Sequence, residues 1–145
     1  MKVSILCGVS GCGKTTWAAR NGIWPLRVVS ADHAFYDRDG KYNFDPSRLP
    51  EAHGSCLRYF VAALQDKVSH VIVDNTNTTV AEIAPYAALA LAYGFDLEIL
   101  FFNCDPEVAA ARNIHEVPVA GVMAQHARLQ ETRKSLPPWW NAREV

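Results

Sequence analysis

The sequence predicts an α/β fold of three layers, in which a parallel sheet of about four strands carries helices on both faces. Three observations point there. Four short apolar runs, at residues 3–7, 26–30, 70–74 and 95–102, alternate with helix-compatible segments, which is the pattern of a parallel sheet with right-handed crossovers. Between the first run and the first helical segment, Gly8-Val9-Ser10-Gly11-Cys12-Gly13-Lys14-Thr15 fits G-x-x-x-x-G-K-[ST] without a mismatch. Two acids, Asp32 and Asp74, follow the second and third runs, at the edge where open α/β sheets receive ligands.

The first run, residues 3–7, is nearly all apolar and belongs in mid-sheet. The loop after it is built for anions. Its glycines allow positive φ and close backbone approach, so successive N–H groups can turn around phosphate oxygens. Lys14 then reaches the β- and γ-phosphates, and the Thr15 hydroxyl ligates Mg²⁺. The helix opening at Thr16 adds its dipole to the same place, so the nucleotide-binding set is Ser10, Gly11, Cys12, Gly13, Lys14, Thr15 and Thr16.

Asn21-Gly22 closes that helix, Pro25 bars its continuation, and residues 26–30 form the second strand, which delivers Asp32. From residue 35 to 45 aromatic and polar residues alternate around Asp39-Gly40, the signal of a two-residue hairpin inserted beside the active edge. Asp45-Pro46 then supplies an N-cap and a first-turn proline for a helix of roughly 20 residues, with Gly54 inside it as a mark of close packing. Residues 70–74 make the third strand, next to the first, so that Thr15 and Asp74 can share one metal ion.

Thr79-x-x-Glu82 is a capping box for a helix through Tyr93, in which Pro85 calls for a kink or a late start, and Gly94 ends it. After the fourth strand, Asp105-Pro106-Glu107 opens a short helix ending at Arg112, and residues 112–118 form a lid before a further helix begins at Pro118. The tail, residues 135–145, cannot be helical throughout because of Pro137-Pro138.

Composition narrows the function. The chain has 145 residues, half of them hydrophobic, enough for one packed domain over residues 1–145. Its net charge of −1 argues against holding an extended duplex by the backbone. No stretch of 18 apolar residues and no signal segment is present, so a cytoplasmic protein without membrane contact is expected. The cysteines Cys7, Cys12, Cys56 and Cys104 lack disulfide or zinc spacing and read as free thiols. Cys12, at a helix N-terminus, is either a small filler or a thiol of lowered pKa serving as a redox switch.

Taken together, the loop, the Ser30-Ala31-Asp32 strand end, the Gly40-Lys41-Tyr42-Asn43-Phe44 insert, the segment from Val71 to Asn77 and Arg112-Asn113 resemble the P-loop kinases related to the kinase domain of phage polynucleotide kinase, with the AAA-like ATP-binding kinases of the same build in bacteria and phage. The resemblance implies a P-loop fold and transfer of the γ-phosphate of ATP or another nucleoside triphosphate, with Mg²⁺, to an alcohol, most of all the 5′-hydroxyl of a polynucleotide or nucleotide. It implies Asp32 as general base, Lys14 and Thr15 as phosphate and metal contacts, Asp74 as an acid near the metal, and Arg112 as the lid arginine. In that family an arginine three residues after the base holds the acceptor's 3′-phosphate. Here Phe35 stands there and Arg38 follows three further on, so the acceptor-side candidates are Phe35, Arg38 and Asn75.

Other residues keep two readings. His33 and His53 fit a packed or solvent-facing role better than a catalytic one, and His115, beside the lid, is placed to touch phosphate or nucleotide. Trp139-Trp140 either stack a base or pin the tail to the core, and Phe35, Tyr36, Tyr42 and Phe44 either form a stacking wall or pack the hairpin. The competing functions are a kinase of another hydroxyl, on a hydroxymethylated base or a small metabolite, and an ATP-hydrolysing regulatory module.

Overall fold

The computed structural model describes residues 1–145. Its strands are β1 (Lys2–Cys7), β2 (Leu26–Val29), β3 (His70–Asp74), β4 (Asp96–Phe101) and β5 (Ala142–Glu144), and its helices are α1 (Lys14–Asn21), α2 (Leu49–Gln65), α3 (Val80–Ala92), α4 (Pro106–Arg112) and α5 (Val119–Ser135). All strand pairs are parallel, in the order β2-β3-β1-β4-β5. β1 lies in the middle, where an uninterrupted apolar run belongs, and its register sets Leu6 opposite Asp74.

The two faces of the sheet are covered unequally. Val3, Ile5, Val71, Val73 and Ile99 pack on one face against Phe60 of α2, Ile83 of α3 and Val122 of α5, in one continuous core. Burying a side chain such as Phe60, fully enclosed here, contributes about 1.5–3 kcal/mol. On the opposite face Leu6, Ile72 and Leu100 meet Ala18 and Trp17 of α1. Farther from the loop on that face, Ser4, His70 and Glu98 form a buried polar row, which the reading of β1 as nearly all apolar did not anticipate. The Ser4 hydroxyl donates to Glu98 Oε1 at 2.6 Å, so His70 Nε2, 2.7 Å away, donates to Ser4 Oγ, and His70 Nδ1 accepts the N–H of Ile23. Lys2, with Nζ 2.7 Å from Glu98, and Arg143 close the row with charge.

Several expectations change. A fifth strand, β5, lies within the tail; all three of its residues are exposed, so it has no alternation to reveal it, and it is held by backbone pairing with β4. Trp140 packs against the core while Trp139 is 75% exposed. The insert is a hairpin in only one antiparallel bridge, Tyr36 to Tyr42, and its loop has three residues: Gly40 N–H donates to Asp37 O, Asp37 N–H donates to Lys41 O, and Gly40 sits at φ 77°. Asp45 caps a short 3-10 turn, Pro46–Arg48, before α2 begins. Gly54 is not a close-packing point, since a Cβ there would meet only an arginine side-chain nitrogen at 3.4 Å. The capping box at Thr79 and Glu82 is present in full, and α3 starts at Val80 and runs through Pro85, so the start is not late.

Candidate active site

The glycine-rich loop joins β1 to α1. Gly11 and Gly13 take φ of 86° and 92°, the left-handed region that a side chain disfavours. Gly11 faces a second constraint, because a Cβ there would lie 2.0 Å from the carbonyl oxygen of Ala109 in α4. The loop is braced from outside: Gly8 N–H donates to Thr76 O, Asn77 Nδ2 donates to Leu6 O at 2.7 Å, and Ser10 N–H donates to Gln125 Oε1 of α5 at 2.9 Å. Ser10 therefore lines the cleft with its amide already engaged. Lys14 is buried, its Nζ donating to Gly8 O and Val9 O at 2.9 Å each, which pins the ammonium at the mouth of the loop. The first-turn amides of Lys14, Thr15 and Thr16 have no acceptor within α1 and are available to an anion.

Thr15 Oγ1 donates to Asp74 Oδ2 at 2.7 Å. The pair arises from register: β1 and β3 are neighbours, so the loop and the end of β3 meet. Two hard oxygen donors side by side fit Mg²⁺, which keeps water and takes phosphate oxygens for its remaining positions. Thr15 and Asp74 are the residues that would hold it.

Asp32 lies on a 3-10 turn, Ala31–Phe35, after β2. Asn75, just past β3, fixes that turn by accepting the Ala31 N–H at 2.8 Å. The carboxylate is held on both sides. Tyr42 donates its hydroxyl to Asp32 Oδ1 at 3.1 Å, and His115 Nδ1 lies 3.4 Å from Oδ2. The His115 ring stacks on Tyr42 with centroids 4.2 Å apart, and Tyr36 OH meets His115 Nε2 at 3.2 Å. Burial, with the charge of Asp32 and the hydrogen bond to it, keeps the Tyr42 phenol well above its ordinary pKa and therefore a donor. The lid that carries His115 is tied by one side chain: Asn113 Oδ1 accepts the N–H groups of His115 and Val117, and Asn113 Nδ2 donates to Val117 O.

These elements enclose a cleft of about 540 Å³ lined by the loop, Asp32, Asp74, Asn75 and the lid residues Arg112 to His115. Of the sequence-derived set, Ser10, Gly11, Gly13, Lys14, Thr15, Thr16, Asp32, Asp74, Asn75 and Arg112 all line it. Three residues do not. Phe35 is 2% exposed and packs edge-on against Phe44 and Tyr42 in the core, so it cannot touch an acceptor. Arg38 is exposed at the hairpin turn, outside the cleft. Cys12 is not among the residues lining the cleft, and burial raises its thiol pKa against the partial pull of Lys14, the opposite of what a low-pKa redox switch needs. Sequence reasoning missed the partnership of Tyr42 and His115 with Asp32, and missed Gln125 entirely. No short-range pattern links those positions.

A parallel sheet with a phosphate loop after its central strand, an acid ending the adjacent β3 and a second acid just after β2, the strand beyond it, defines a P-loop domain of kinase build. The chain belongs to the AAA domain family, which matches residues 3–136. It is 34% identical over 125 residues to NEDD4-binding protein 2 from Homo sapiens, covering 78% of this chain and 7% of that protein. A chain of the Pnkp1/Rnl/Hen1 RNA repair complex superposes with TM-score 0.76 at 20% identity, over 94% of this chain and 46% of that one. A sugar kinase from Janibacter sp. HTCC2649 superposes with TM-score 0.62 at 22% identity, over 100% of this chain and 84% of that one. This chain thus spans less than half of the first two proteins it matches. No helix is long and apolar enough to cross a membrane.

Proposed function

We propose that this chain is an ATP- and Mg²⁺-dependent phosphotransferase that moves the γ-phosphoryl group to an alcohol, most specifically the 5′-hydroxyl of a nucleic-acid end or nucleotide. The observation that carries this reading is the Asp32 carboxylate in the same cleft as Lys14, Thr15, Asp74 and Arg112. A hydrolytic switch has no need of a braced acid on the wall facing the phosphate loop.

Phosphoryl transfer asks a protein mainly for positioning and charge neutralisation. The first-turn amides of α1 and Lys14 hold the donor phosphates. Asp32 accepts a hydrogen bond from the alcohol and takes its proton as the new oxygen–phosphorus bond forms and the bond to the leaving nucleoside diphosphate breaks. Tyr42 occupies one lone pair on Oδ1 and His115 Nδ1 stands 3.4 Å from Oδ2, which orients the carboxylate and leaves its remaining lone pairs for the alcohol. Arg112 meets the charge on the transferring group. Mg²⁺, when bound at Thr15 and Asp74, neutralises charge on the phosphate oxygens.

γ-Labelled ATP offered with 5′-hydroxyl oligonucleotides, nucleosides, hydroxymethylpyrimidine DNA and sugars tests the reading. Label should pass to an acceptor with wild type and fail to pass with Asp32→Asn. Equal ATP hydrolysis by both proteins with no acceptor labelled would overturn it. A second reading, a kinase of a small polyol, is favoured by the absence of Phe35 and Arg38 from the cleft and by the likeness to a sugar kinase along the whole chain. The sugar arm of the panel decides between them.

A further inference from the structure

Beside the active cleft a second cavity of about 400 Å³ opens between the edge strand β2 and α2. The two share Ser30 and His33, the residues on either side of the Ala31-Asp32 pair. A substrate whose hydroxyl meets Asp32 can therefore continue past His33 without leaving the protein surface.

The composition of this groove indicates what continues. Arg27 shares with Val29 the face of β2 turned toward α2, because side chains two apart point the same way, and it lines the groove opposite Ser55 and Tyr59. Arg58 does not itself line the groove, but it is exposed and its guanidinium donates to Oγ of the lining Ser55 at 2.8 Å. Tyr59 is 65% exposed, so its ring is accessible from the groove. No carboxylate lines the groove. One arginine in the lining and a second bonded to the lining Ser55, two exposed rings (His33 and Tyr59), an apolar floor and no acid, in a protein of net charge −1, have the makeup of a single-strand site, where cations follow the phosphates and rings carry the bases.

We propose that the groove between β2 and α2 holds the second and following nucleotides of a single-stranded acceptor, with a base on Tyr59 and the backbone phosphates at Arg27 and Arg58. This rests on the phosphotransferase reading and narrows its acceptor from any nucleotide to a strand. It also gives the acceptor's phosphates a cationic partner that Phe35, buried in the core, does not supply. The volume falls within the roughly 300–1,000 Å³ typical of ligand sites.

The test uses the full chain with γ-labelled ATP, thymidine and 5′-hydroxyl (dT)₆ as acceptors, and fluorescence anisotropy of labelled (dT)₆ for binding. Tyr59→Ala should lower the ratio of kcat/KM for hexamer over thymidine about tenfold, the loss of one stacked base. Arg27→Gln and Arg58→Gln should each weaken hexamer binding and reduce the slope of log affinity against log salt by about 0.7, which a change of shape alone would not do. All three side chains are exposed, and an unchanged Tm confirms intact folding. If the ratio and the salt slope stay put in all three variants, the groove is overturned while transfer to an alcohol stands. If hexamer binding depends on Arg27 and Tyr59 but no acceptor is ever labelled, the groove stands and the phosphotransferase reading falls.

Discussion

At Asp32 the turn after β2 meets Tyr42 of the nearby insert and His115 from far along the chain, and the consequences are testable one side chain at a time. Asp32→Asn should lower transfer by about 10²–10⁴-fold, the usual contribution of a general base, with little change in the KM for ATP. On the role proposed for Arg112 beside the transferring group, Arg112→Ala should lower kcat about 10²-fold, or about 3 kcal/mol. His115 offers a finer test. Its Nδ1 faces Oδ2 of Asp32, so His115→Asn, whose amide nitrogen can stand near that place, should retain more kcat than His115→Ala. Equal kcat in the two variants would reduce His115 to a packing residue. The loop, Asp32 and Asp74 were legible in the sequence because a local motif or strand end carries each, and Arg112 because it ends a short helix at the place where the resembling kinases carry their lid arginine. Phe35 was assigned from its place after the base, yet an apolar ring on a short turn over the core goes inward, and burial decided its fate.

The elements show the same division between local and long-range information. The strands β1 to β4, the capping box of α3 and the glycine that ends it were readable because hydrophobic runs and caps are written in consecutive residues. β5 was not, because three exposed residues without alternation become a strand only when β4 offers an edge. Gly11 shows how a local motif also carries tertiary information. Gly11→Ala combines an adverse φ, costing roughly 1–2 kcal/mol, with a clash against Ala109 that must push α4 and its terminal Arg112 away. It should lower the Tm and also abolish the rise in Tm that ATP gives, as thermal melts with and without nucleotide will show. Thr79→Ala, by contrast, removes only a cap and should cost about 1 kcal/mol in denaturant unfolding while leaving the KM for ATP in place.

For the whole molecule the buried row of Ser4, His70 and Glu98 sets the response to acid. Burial, reinforced by the charge of Lys2, holds the His70 pKa below its ordinary value, so the unfolded chain binds that proton first. Its contribution is complete above about pH 6.5 and fades as pH falls below it. Burial alone would raise the Glu98 carboxyl, but hydrogen bonds from Lys2 and Ser4, with the charges of Lys2 and Arg143, bring it below its ordinary value. That stability is present at neutral pH and is lost only as pH drops under about 4.5. Denaturant unfolding from about pH 8 down to about pH 2 should therefore decline in two stages, and His70→Gln should flatten the upper one. Neither stage could be foreseen from the sequence, since the row forms across three strands that only the topology brings together.

Because α1 alone shields its side of the sheet and springs directly from the phosphate loop, an occupant of that loop also fastens the only roof over Leu6, Ile72 and Leu100. Amide deuteration should accordingly slow in residues 14–21 when nucleotide arrives, and slow far less in α2 and α3, which rest on the thicker side of the molecule. Donor binding and the tightening of one whole flank become a single event.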